Sequence, residues 1–189
     1  FVGTTDDVDL VFKRNNVVSG ALKSTSTSYG VGSLPLTSTG DRNSAFGLNA
    51  LSVNTTGAAN TAVGIRALMD NTTGGGNTAI GTDALSNNVT GFANIAVGSA
   101  ALFFLASGDR NIGIGNRAIA FANGTNNNVA IGNDALLGIS TGNSNTAIGT
   151  DSGVNITTGS NNTAIGNGAN VPNATGDNQV RIGNAAVTY

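Results

Sequence analysis

The side chains that could perform acid–base or nucleophilic chemistry are few and widely spaced in this sequence. There is no His, no Cys and no Glu, and the ten acidic residues are all Asp. Hydrolysis of a glycosidic bond, the enzymatic alternative that we considered, needs a pair of carboxyl groups. Asp83 instead lies 17 residues after Arg66, and Asp134 lies 17 residues after Arg117, which is one period of the repeat described below. This spacing favours exposed ion pairs, so we predict that the chain is not an enzyme.

Metal and phosphate sites are not predicted either. The nonapeptide Gly-Gly-x-Gly-x-Asp, which binds calcium in some β-rolls, does not recur. No glycine-rich run leads into Gly-Lys-Ser/Thr, as phosphate binding would require. Asp6, Asp7 and Asp9 could hold a hard cation, but a solvated loop is the simpler interpretation. We expect no cofactor and no bound metal.

The overall charge and hydropathy exclude two further classes of partner. A net charge of −2 provides no basic stripe for nucleic acid. No window of 18 apolar residues occurs, so we expect no direct membrane insertion by this fragment. Phe1 is not followed by a charged segment and an apolar one, so we expect targeting signals and anchors to lie elsewhere in a longer protein.

A pentad of the type Asn-Thr-Ala-Ile-Gly, as at positions 77–81, recurs with a 17-residue period along most of the chain. Such a period is too short for helical-hairpin repeats, which need about 33 residues or more, and it fits one coil of a β-solenoid. We expect the asparagine and glycine columns of this repeat to be structural. The glycines between the two terminal coils are Gly47, Gly64, Gly81, Gly98, Gly115, Gly132, Gly149 and Gly166. The asparagines are Asn43, Asn60, Asn77, Asn94, Asn111, Asn128, Asn145 and Asn162.

Small and large residues alternate before each pentad glycine. The preceding residue is large and apolar in every coil, from Tyr29 to Ile182, and the one before it is small in nine coils, from Ser28 to Ala164. This alternation is typical of a strand whose two faces pack differently. We predict an all-β fold, a parallel β-solenoid or β-roll with 17-residue coils, glycine corners and an asparagine ladder. Nine to ten coils stacked at about 4.8 Å would give a rod about 45 Å long.

A second segment of each coil, such as 66–71 or 83–87, combines Ala and Leu with polar residues. Ala and Leu favour a helix, but four to six residues are too few for that preference to decide. We predict a second strand in each coil and keep a helical or 3₁₀ turn as the alternative.

A 17-residue coil can enclose only one thin core. If the small and large residues of one strand point to opposite faces, one column lies inside and the other forms a long apolar stripe outside. Such a stripe usually marks an interface. We therefore predict lateral association into a homo-oligomer, the size of which does not follow from the pattern.

Four aromatic residues interrupt the repeat in neighbouring coils: Phe92, Phe103, Phe104 and Phe121. We interpret them as an interface or a thicker part of the core, and keep a receptor contact as the alternative. Residues 1–25 lack the repeat and are predicted to form an N-terminal cap or linker. Residues 26–189 would then form a solenoid of about nine and a half repeats. Arg181 replaces the small residue in the last of them, which predicts an altered final coil.

The pentad Asn-Thr-Ala-Ile-Gly, with the spacing Gly-x-x-Ala, resembles the repeat of YadA-like heads of trimeric autotransporter adhesins from residue 26 to about residue 184. The resemblance implies a left-handed β-roll in which three chains associate laterally, although the 17-residue period is longer than that of the adhesin heads. It also implies an extracellular location and a structural or adhesive role with a host-surface, glycan or protein receptor. Similar runs occur in Bacteroidota-type surface proteins and bacteriophage tail fibres. The receptor-binding part of a phage or contractile injection-system tail fibre is therefore the alternative.

Overall fold

The computed structural model describes residues 9–185, and the only regular secondary structure in that range is β-strand. Within residues 9–185 twelve strands form one sheet, in which each strand pairs with its neighbours in sequence. No helix that could cross a membrane occurs in this part of the chain. The strands are β1 (Leu10–Arg14), β2 (Val17–Leu22), β3 (Thr27–Tyr29), β4 (Ser44–Phe46), β5 (Thr61–Val63), β6 (Thr78–Ile80), β7 (Ile95–Val97), β8 (Ile112–Ile114), β9 (Val129–Ile131), β10 (Thr146–Ile148), β11 (Thr163–Ile165) and β12 (Val180–Ile182).

An antiparallel hairpin, β1 and β2, lies at the N-terminal edge of the sheet. Its turn is made by Asn15 and Asn16, whose φ angles of 49° and 61° suit asparagine in a tight hairpin turn. β2 then pairs antiparallel with β3, with Gly20 opposite Tyr29. A Cβ on Gly20 would lie 2.8 Å from the carbonyl oxygen of Ser28, so this contact needs glycine. The hairpin thereby covers the strand edge that the first coil would otherwise expose.

From β3 to β12 every strand runs parallel to the next and is displaced from it by one repeat, so identical repeat positions face one another. Ala79, for example, lies opposite Ala62 on one side and Ala96 on the other. The predicted parallel β-solenoid with 17-residue coils is confirmed. The nine steps from β3 to β12 span about 43 Å at the usual strand spacing.

The core is a stack of small and branched apolar side chains. Alanine at the centre of a strand points inward and is completely buried in β4 to β7 and in β9 to β11. In β8 the central residue is Gly113, and a Cβ there would lie 3.2 Å from Cγ of Leu102. The layer that faces these residues is also fully buried and consists of Leu51, Leu68, Leu85, Leu102, Ile119 and Leu136. Small strand residues thus leave room for one leucine or isoleucine per coil, as dense packing requires.

The second segment of each coil is neither a strand nor a helical turn, so the predicted second strand is wrong. In one coil Arg66 and Leu68 have φ angles of 57° and 51°, and the same pair of left-handed positions recurs in other coils. This conformation costs about 1–2 kcal/mol per residue, hence about 2–4 kcal/mol for the pair, and burial of one leucine, at about 1.5–3 kcal/mol, offsets most of that cost. Neighbouring coils remain hydrogen-bonded here, since the Leu68 N–H donates to the Ala84 carbonyl at 3.1 Å.

The pentad glycines are corners at which successive coils touch. Their φ angles lie between 118° and 139° from Gly47 to Gly166. A Cβ on Gly81 would lie 2.6 Å from the carbonyl oxygen of Gly98 in the next coil. Glycine is therefore required both by the backbone conformation and by the space available.

Candidate functional site

The eight pentad asparagines form one buried ladder through the solenoid, and each is at most 1% exposed. The Oδ1 of Asn77 accepts hydrogen bonds from the backbone N–H and the Nδ2 of Asn94, at 2.9 and 3.2 Å. Its own Nδ2 donates to Asn60 Oδ1 at 3.2 Å and to the Gly91 carbonyl at 2.8 Å. Both polar atoms of the amide are thus committed to contacts between coils. The structure places this column in the scaffold and not on a binding surface.

A second amide ladder was not predicted from the sequence. Asn54, Asn71 and Asn88 are buried, and the Nδ2 of each later one donates to the Oδ1 of the one before it at 2.8 Å. These residues recur with the 17-residue period, seven positions after a corner glycine, and this spacing is the sequence feature that could have revealed them. The asparagine repeat spans only three coils, because later coils have buried apolar residues at this position, namely Leu105, Ala122, Ile139 and Ile156.

A long apolar surface runs along the outer face of the parallel strands. We call it the outer apolar column; it consists of Tyr29, Phe46, Val63, Ile80, Val97, Ile114, Ile131, Ile148, Ile165 and Ile182. All except Val97, which is half-buried, are exposed, from 37% for Ile114 to 63% for Tyr29. Val31, Leu48 and Ile65, each two residues after a member of this column and just past a corner glycine, are also 40–46% exposed. Alanine therefore lies inside each strand and the larger residue outside.

Three of the four predicted aromatic interface residues form a cluster. The rings of Phe104 and Phe121 stack at 5.7 Å between centroids, with an angle of 20° between their planes. Phe103 meets Phe104 edge to face at 4.6 Å. Phe92 is exposed but makes no ring contact with any residue between 9 and 185, so it does not belong to this cluster.

The two predicted arginine–aspartate pairs are present on the surface. Arg66 donates to both carboxylate oxygens of Asp83 at 2.6 and 2.7 Å, and Arg117 does the same to Asp134 at 2.8 and 2.6 Å. The hydrogen bonds from each guanidinium to its carboxylate, and then the attraction of the opposite charges, raise the pKa of both arginines. These aspartates are occupied by ion pairs across neighbouring coils.

The described residues offer no cluster for metal chemistry. Between residues 9 and 185 no three His, Cys, Asp or Glu side chains lie close enough to share an ion. Asp6 and Asp7 of the acidic cluster noted in the sequence lie outside the described residues.

The last strand carries a charged residue in the inner column. Arg181 lies opposite Ala164, at the position where earlier strands have alanine. Its Nε donates to the Gly183 carbonyl at 2.8 Å, and its Nη2 donates to the Asn184 carbonyl. The guanidinium therefore folds back onto its own chain, and the small inner residue is not repeated in this coil.

Comparison of the chain with models of protein families, with curated proteins and with solved structures found no match.

Proposed function

We propose that the chain is a structural and adhesive module of an extracellular fibre, in which three copies associate side by side through the outer apolar column. The observation that carries this proposal is the continuity of that column over ten coils on one face of the sheet. Monomeric soluble proteins rarely expose contiguous apolar patches larger than a few hundred Å². A column about 43 Å long is better explained as a face covered by identical chains.

The register of the coils supports side-by-side association of parallel copies. Each strand pairs with the next without a register shift, as Ile148 opposite Ile165 illustrates. Equivalent residues of successive coils therefore lie at regular intervals along the rod. Parallel copies around an axis along the rod would bring the same residue of each copy together at every level, which gives a closed assembly. The number three comes from the resemblance to the adhesin heads.

A structural role also agrees with how the polar residues are used. The asparagine ladders and the arginine–aspartate pairs bind coil to coil, so these groups stabilise the rod. The rod would supply reach and shape, and the faces away from the outer apolar column would meet a receptor on a surface.

The test is the mass of the chain in solution by sedimentation equilibrium at micromolar concentration. We expect three times the chain mass of 18.6 kDa. Val63→Asp, which places a charge in the outer apolar column, should shift the population toward the monomer. Val53→Asp is the matched control, because Val53 is 47% exposed but lies outside that column. A wild-type monomer, or equal effects of the two variants, would contradict the proposal.

A further inference from the structure

The first coil of the solenoid has no coil stacked in front of it, so its backbone groups on that side need other partners. The N-terminal hairpin supplies several of them. The Gly30 N–H donates to the Ser19 carbonyl at 2.7 Å, whereas the later corner glycines donate to a preceding coil. The ammonium group of Lys23 donates to the carbonyls of Leu36 and Ser38, at 3.1 and 3.0 Å. The hairpin and Lys23 thus take the place of a preceding coil along part of this end.

Two neighbouring backbone groups of the first coil are left over, the Gly32 N–H and the Ser33 carbonyl. Neither makes a hydrogen bond within residues 9–185. In all eight later coils the equivalent N–H donates to the preceding coil, and the equivalent carbonyl accepts a hydrogen bond from it. Ser33 is only 4% exposed, and a buried carbonyl without a partner is uncommon in native structures.

The equivalent position in the next coil shows what kind of group binds there. The Asn49 N–H donates to the Val31 carbonyl at 3.0 Å. The Leu34 N–H donates to the Ala50 carbonyl, also at 3.0 Å. The partner is therefore a four-residue peptide turn that offers a carbonyl at its first residue and an N–H at its fourth. The second residue of this turn is Gly32, whose φ of 70° favours glycine.

An apolar cavity adjoins the two free groups. Its volume of about 340 Å³ lies near the lower end of the range for ligand sites, about 300–1,000 Å³. Besides the two free groups, its walls include Val18 from the hairpin and Leu34, Pro35 and Leu36 from the first coil. We call the free groups and these walls the N-terminal notch. A whole coil cannot stack here, because β2 already occupies the edge of β3, so the notch has room only for a short segment.

We infer that the N-terminal notch binds a short peptide turn of a second polypeptide, with glycine at its second position and an apolar residue at its fourth. A peptide is the occupant because this pair of donor and acceptor bonds to a peptide turn in each of the eight later coils. The apolar walls match an apolar side chain on that turn. The inference goes beyond the proposed function and does not depend on the number of copies that associate.

The test is a titration of the whole chain, labelled for NMR at its backbone amides, with the capped peptide acetyl-Val-Gly-Ser-Leu-amide, which repeats the sequence of residues 31–34. We expect a shift of the Gly32 amide signal, slower hydrogen exchange of that amide, and a dissociation constant of about 1 mM. The matched peptide acetyl-Val-Val-Ser-Leu-amide should bind about tenfold more weakly, because valine disfavours the left-handed backbone at the second position.

The site is tested by Leu36→Asp, which places a charge in the wall of the notch and should weaken binding at least about tenfold. Val53→Asp is the matched control. Val53 occupies the same repeat position one coil later, is 47% exposed and does not line the cavity, so binding should be unchanged. Thermal unfolding of both variants establishes that they fold.

The inference would be overturned by a Gly32 amide that does not shift, by equal binding of the two peptides, or by equal effects of the two variants. A shift of the same amide by a simple apolar alcohol such as octanol, without any by the peptide, would overturn it in favour of a small apolar ligand. Sedimentation of the same samples keeps the proposals distinct. A trimer that binds no peptide contradicts only the notch, and a monomer that binds it contradicts only lateral association.

Discussion

Replacement of Asn77 by alanine should destabilise the solenoid strongly although no catalytic or binding group is removed. The side chain is completely buried and takes part in four hydrogen bonds, two through Oδ1 and two through Nδ2. At about 1 kcal/mol net for each bond, the loss is about 4 kcal/mol. The substitution also leaves the backbone N–H of Asn94 buried without its acceptor, which adds to the cost.

The measurement is thermal unfolding followed by circular dichroism, with Asn123→Ala as the matched control. Asn123 is exposed and makes no side-chain hydrogen bond within residues 9–185, so the same chemical change should have little effect there. For a chain of this size, about 4 kcal/mol corresponds to a decrease in Tm of about 8–16 °C. Hydrogen exchange adds a local readout, because the Asn94 amide should lose its protection.

The reasoning would be refuted if Asn77→Ala and Asn123→Ala lowered Tm by the same amount. It would also be refuted if the Asn94 amide stayed protected in Asn77→Ala, since its acceptor would then not be the Asn77 side chain.

Two further predictions concern the corners and one buried hydroxyl. Gly81→Ala should lower the free energy of unfolding by about 3 kcal/mol or more, because its Cβ would meet the Gly98 carbonyl. The control is Gly168→Ala, at φ 63° with no atom within 4 Å of its Cβ, which should cost only about 1 kcal/mol. Equal losses of stability in chemical denaturation would contradict the explanation given for the corner glycines. Thr125→Val should stabilise the fold by about 1 kcal/mol, because the Thr125 hydroxyl is buried without a hydrogen-bond partner in the described structure. Thr125→Ser, which retains the hydroxyl, is the control. A lower denaturation midpoint for Thr125→Val than for the wild type would contradict the conclusion that this hydroxyl is unsatisfied.

The parallel architecture could be predicted from the sequence because each strand position has one residue type over many coils. Ala79 and Ile80 illustrate this: alanine recurs at buried positions and isoleucine at exposed ones, so the period and the alternation define the strand and its register. The prediction failed for Leu68 and its equivalents. Alanine and leucine carry a helix preference, whereas the left-handed backbone at Leu68 is imposed by the need to turn a leucine into a narrow core.

The candidate sites were accessible to sequence reasoning to different degrees. Phe104 and Phe121 could be singled out because they break a polar column. The close approach of Gly138 to the Val154 carbonyl in the next coil could not be predicted, because Gly138 is indistinguishable in the sequence from an ordinary loop glycine. The ladder through Asn71 was missed because its column changes to apolar residues (leucine, alanine and isoleucine) after Asn88. A position that carries asparagine in some coils and an apolar residue in others is not recognised in the sequence as one column of the repeat.

The two ends of the sheet differ in what a further strand would meet there. At one end β2 runs antiparallel to β3, so the edge of the first coil is already occupied. At the other end β12 carries Arg181 where a further coil would place alanine. A second rod that added its own coils there would have to cover the Arg181 guanidinium, which is bonded to the Gly183 and Asn184 carbonyls but still partly exposed, and the removal of a charged group from water costs free energy.

Growth by head-to-tail polymerisation, the route by which stacked β-strands form amyloid-like filaments, is therefore obstructed at both termini of the described solenoid. The sides of the rod have no such obstruction. In the proposed side-by-side assembly the copies lie beside one another, so their association would not lengthen the described solenoid.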